Sequence, residues 1–63
     1  MILENWFLEK TRNNFRLVGN VYGDDKKRFE DGQLISTSSL ESIDFKNKIA
    51  KTKNSIYKLG ERN

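Results

Sequence analysis

The chain has 63 residues, 35% of them hydrophobic and 33% charged, with a net charge of +3 and neither Cys nor His. A domain of this size buries only about 60% of its unfolded surface, so a single domain with a small core is expected, without a second lobe to enclose a deep cleft. The missing residue types remove disulfides, thiolate metal sites and every nucleophile activated by His.

The N-terminal MILENWFLEK has no basic start and no long apolar stretch, so it does not read as a secretory signal. No run of 18 apolar residues occurs anywhere, and a cytoplasmic protein without a membrane span is expected. The apolar triplet within Asn5 to Lys10 opens a first strand. Arg12-Asn13-Asn14 reads as a hairpin turn, because Asn tolerates positive φ. Phe15 to Tyr22 then alternates, with Phe15, Leu17, Gly19 and Val21 on one face. That period, with its β-branched and aromatic content, predicts a strand, and Gly19 within it predicts a bulge, a bend or a close backbone crossing.

Tyr22 to Gly32, YGDDKKRFEDG, packs four carboxylates and three consecutive bases between turn residues. As a calcium loop it fails: Asp24 and Asp25 are adjacent rather than alternate, and Lys26, Lys27 and Arg28 stand where ligands belong. As a phosphate cradle it lacks the glycines and the Lys-Ser/Thr pair entering a helix. It reads as a solvated tip from Gly23 to Arg28 and a structural return from Phe29. Phe29 either folds back onto the core or serves as a binding anchor, and Lys26, Lys27 and Arg28 are candidates for contact with a partner.

Asp31-Gly32 launches a strand at Gln33 to Thr37, followed by Leu40 to Phe45, Lys48 to Lys53 and Ile56 to Leu59. Ser38 to Glu41 also fits a capping box, which allows one helical turn near residues 39–43 or a longer C-terminal helix. Asn47 and Asn54 would break the apolar stripe of that helix, and Ile49, Thr52 and Ile56 favour strands. In Lys48 to Lys53 neither face is cleanly apolar, which suggests an edge strand guarded by lysines. The fold expected is all-β: a small antiparallel SH3-like barrel of five or six short strands.

Residues 1–45 carry a charge of −2 and residues 46–63 a charge of +5. Lys46, Lys48, Lys51, Lys53, Lys58 and Arg62, with Phe45 and Tyr57 among them, combine cations with stacking faces, as nucleic-acid-binding barrels do. The acidic residues of the first 45 would repel a phosphate backbone unless they lie on another face. Trp6, Phe7 and Tyr22 are of the types that anchor protein interfaces, but in so small a protein such residues more often form the core, Trp6 above all. The hydroxyls of Ser36 to Ser39 have no neighbouring base, and carboxylates such as Asp31 and Asp44 would need a desolvated cleft. A non-catalytic protein without cofactor or metal is expected, and self-association is open to a chain this small.

Val21 to Ser38, VYGDDKKRFEDGQLISTS, and Thr52 to Gly60, TKNSIYKLG, resemble small proteins of phages and other mobile elements with the pattern V-Y-G, R-F-x-D-G, I-x-T-S and later T-x-N-S-x-Y-x-L-G. The likeness runs over residues 15–60, and extra residues between Gly23 and Arg28 depart from it. The resemblance implies a compact β-rich fold in a phage-like setting. There, small non-catalytic proteins bind and block host machinery, including defence systems such as CRISPR effectors.

Overall fold

The computed structural model describes residues 1–63, with six β-strands and no helix. The alternating segment forms β2 (Phe15–Tyr22), with Leu17, Gly19 and Val21 buried. It pairs antiparallel with β1 (Ile2–Lys10) on one side and β3 (Gln33–Ser36) on the other. A second antiparallel meander comprises β4 (Leu40–Asp44), β5 (Ile49–Thr52) and β6 (Ile56–Leu59). β1 and β6 join the meanders in parallel, through Ile2↔Lys58 and Leu3↔Leu59, giving the order β3-β2-β1-β6-β5-β4.

The sheet curls without closing. Its edge strands, β3 and β4, are consecutive in the chain, and residues 37–39 carry the chain from one edge to the other. The Thr37 amide donates to the Leu17 carbonyl at 2.8 Å, and the Lys53 amide donates to Ser39 at 2.9 Å. This short link is therefore tied to both meanders. The result is a small barrel-like globule of 28 × 24 × 19 Å with one parallel seam.

Leu3, Trp6, Leu17, Val21, Ile35, Ala50, Tyr57 and Leu59 form the core. Burying a side chain the size of Leu or Val contributes about 1.5–3 kcal/mol. Two buried threonines sit beside this cluster, and both hydroxyls are satisfied. Thr37 Oγ1 accepts the Leu17 amide at 3.0 Å and donates to Ser38 O at 2.8 Å. Thr52 Oγ1 donates to Ser55 O at 3.1 Å and accepts the Ser55 amide at 3.2 Å.

Gly19 marks a bulge. The β1–β2 register steps from Glu4↔Asn20 to Phe7↔Val18, so Asn5 and Trp6 share one partner position. Asn5 takes φ 52°, a left-handed conformation that Asn tolerates better than most residues. The extra residue turns both Leu3 and Trp6 into the core, three positions apart, where strict alternation would bury only one of them.

Several expectations are corrected. Residues 40–44 pair with β5 instead of forming a helical turn near 39–43, and Ser38 Oγ accepts the amide of Asn54 rather than capping its own turn. The longer C-terminal helix is likewise absent, because Ala50, Thr52, Tyr57 and Leu59 bury at strand spacing. β5 is not an edge strand: it lies between β4 and β6, and its one lysine, Lys51, projects from the sheet face. The first hairpin needs no positive φ. Its turn closes through Thr11 N–H to Asn14 O at 2.8 Å, while the Asn14 amide donates to Thr11 Oγ1 at 3.2 Å.

Candidate functional site

Leu3 and Leu59 point into the core, so their neighbours Ile2 and Lys58 point outward. The pairings Tyr22↔Ile2, Ile2↔Lys58, Lys58↔Ile49 and Ile49↔Asp44 then lay one continuous row across five strands. The next row on β5 and β6 pairs Lys51 with Ile56. Ile2, Tyr22 and Ile49 are each about 40% exposed and Ile56 is 61% exposed. An apolar stripe with two lysines set into it therefore covers the outer face.

Asp44, at the end of the row, is committed to its own turn. The Asn47 amide and side chain, at 3.1 and 2.8 Å, hold its carboxyl below the ordinary aspartate range, with help from the Lys46 amide at 3.0 Å. Neither Lys51 nor Lys58 forms an ion pair.

The Gly23–Gly32 loop borders this face. Gly23 and Gly32, at φ 69° and 87°, let the chain leave and re-enter the β2–β3 pair. Asp24 organises what lies between them: its carboxylate accepts the amides of Lys26, Arg28 and Phe29 at 3.2, 2.8 and 3.1 Å. Burial pushes the Asp24 carboxyl up. The three amides and the Arg28 guanidinium, 3.5 Å away, outweigh that and hold it below its ordinary value. Lys26 and Arg28 meet Asn54 and Ser55 of the β5–β6 connection and Ile56 at the start of β6 around Met1, lining a hollow of about 210 Å³. The loop is thereby brought against the turn between β5 and β6, with Asp24 and Asp25 also in the wall of the hollow.

The other candidates divide. Lys27, at φ 53°, is exposed at the loop tip. Phe29 folds back against the core, with the Arg28 guanidinium 5.5 Å from its ring centre. Trp6 is buried, its indole N–H donates to Gly60 O at 3.1 Å, and the Arg62 guanidinium covers its ring. Tyr57 is buried too and gives no stacking surface among the lysines. Lys46, Lys48 and Lys53 are exposed in the turns flanking β5. Ile2, Ile49 and Ile56 were not among the sequence candidates. The signal for Ile49 was present in KIAKTK, where the small Ala50 and Thr52 fit a tight interior and leave the isoleucine outside.

The chain matches no protein-family model, no curated protein and no solved structure.

Proposed function

We propose that the protein is a non-catalytic binding module that engages a host protein through the outer face of its sheet. The observation that carries this reading is the row Tyr22, Ile2, Lys58, Ile49 with Ile56 and Lys51 beside it. Aliphatic anchors interleaved with lysines suit an acidic protein surface with its own apolar residues: burial supplies affinity and charge supplies orientation. The resemblance noted above supports a phage or mobile-element setting, a cytoplasmic location, and a host defence protein as the kind of partner. The scaffold is a small barrel of SH3-like size.

Nucleic acid is the second reading, because Lys46, Lys48, Lys51, Lys53 and Lys58 line the same meander. Isoleucines do not stack on bases, and Tyr57 lies in the core, which weighs against it. The two readings separate in one experiment. Immobilised wild-type protein and the Ile49→Asp/Ile56→Asp variant are exposed to host lysate and, separately, to single-stranded oligonucleotide at about 50 mM salt. A protein retained by wild type and lost from the variant is expected. Oligonucleotide retention that survives Ile49→Asp/Ile56→Asp and weakens steeply with salt would replace the protein reading with the nucleic-acid one.

A further inference from the structure

After β6 the chain continues beside β1, past its bulge. The Gly60 amide donates to Leu3 O at 2.9 Å, the Trp6 amide to Glu61 O at 3.3 Å, and the Asn63 amide to Trp6 O at 2.9 Å. Between this segment and the β4–β5 turn lies a cavity of about 540 Å³, whose walls include Glu4, Trp6, Phe45, Lys48, Glu61 and Arg62. The rings of Trp6 and Phe45 lie 6.5 Å apart, inclined at 32°, and Phe45 is 57% exposed. The Arg62 guanidinium sits over Trp6, 5.2 Å from the ring centre. The Glu4 carboxylate lies against the bare Cα of Gly60, where a Cβ would displace it, and accepts the Glu61 amide at 3.3 Å.

The only ion pairs in the molecule are Arg16–Glu9 and Arg28–Asp24. Glu4, Glu61 and Arg62 therefore meet in one cavity without a salt bridge. A half-buried carboxylate beside two aromatic rings is a setting that favours a cation, and one cation already rests on the indole face. The geometry points to a receptor pocket for a guanidinium or ammonium group from a partner's Arg or Lys side chain, with Arg62 as its internal occupant. Trp6 and Phe45 supply the aromatic walls and Glu4 the counter-charge. Lys48 and Arg62 already balance Glu4 and Glu61, so an incoming cation takes the place of Arg62 instead of adding to it. The pocket adjoins the outer face, Glu4 lying two residues from Ile2 on β1, but its cation readout does not depend on that face's partner.

Trp6 is the single tryptophan, so its emission reports the pocket directly. N-acetyl-arginine amide is titrated at constant ionic strength into wild type and into Arg62→Ala, Glu4→Gln and Phe45→Ala. Saturable change is expected in wild type, together with a shift of the Trp6 indole N–H resonance. Removing the internal competitor should lower the midpoint in Arg62→Ala by about threefold, the scale of one cation–π contact at an exposed site. Glu4→Gln and Phe45→Ala should raise it. The proposal is overturned if neither the emission nor the indole resonance of wild type responds, or if Arg62→Ala binds no tighter than wild type. Saturation by inorganic phosphate that Arg62→Ala abolishes would also overturn it, since the pocket would then be an anion site.

Discussion

Gly19 stands where two residues of β1 face one of β2, and it is glycine because nothing larger fits. A Cβ there would lie 2.8 Å from Glu4 O, 3.0 Å from Leu3 Cγ and 3.1 Å from the Trp6 Cα. Two of those atoms are backbone, so relief would have to come from the bulge itself. Gly19→Ala is expected to cost about 1–3 kcal/mol, the usual range for forcing a methyl into a packed interior, measured as a lower urea midpoint. Thr37 is the polar counterpart. Thr37→Val keeps the shape but leaves the buried Leu17 amide without its side-chain acceptor. A loss of about 1–3 kcal/mol is expected by the same measurement.

At the scale of the elements, the strands most readable from sequence were those whose inward and outward residues differ in kind. The sequence pattern of β2 predicts its observed bounds, although Val18, expected to face outward, is buried and Phe15, expected to face inward, is exposed; Gly19 signals the break in regularity. β1 was read only from Asn5, because the bulge shifts its alternation by one residue and hides Ile2 to Glu4 from a period of two. β5 was mistaken for an edge because its interior positions hold only Ala50 and Thr52, too small to show as an apolar face. No local pattern specifies the parallel β1–β6 seam, since its partners lie at opposite ends of the chain. The outer row depends on that seam, and so it was equally hidden. Phe29 returns to the core as the sequence suggests, but Asp24, inside the expected solvated tip, is buried and organises the loop, a role its failure as a metal ligand does not reveal. Because the Asp24 carboxyl titrates lower in the fold than in the open chain, its contribution is complete above the ordinary value of 3.8. It is lost as pH falls through the lowered native value. Thermal melts of wild type should therefore fall more steeply below pH 4 than those of Asp24→Asn, which should be the less stable protein at neutral pH.

For the molecule as a whole, a sheet that curls without closing has two faces with different duties. The inner face holds Leu3, Leu17, Val21, Ala50, Tyr57 and Leu59 and supplies stability. The outer face presents Ile2, Tyr22, Ile49 and Ile56, from which the fold gains less than from the core, since each keeps about 40% or more of its surface in water. In so small a domain, apolar surface left outside is stability forgone, which is understandable if a partner completes the burial. This division of labour can be tested one strand at a time, because neighbouring residues on β5 and β6 belong to opposite faces. Lysine at Ile49 and Ile56 should cost about 1 kcal/mol per site, the share of side-chain burial each gives up. Partner capture by this double variant should nevertheless fall to background. Lysine at Ala50 or Tyr57, one residue away in each strand, should instead unfold the protein, since it forces an unpaired charge into the core. Circular dichroism melts run beside the capture assay decide the matter. If Ile49→Lys/Ile56→Lys melts as early as Tyr57→Lys, the outer face belongs to the fold and not to a partner.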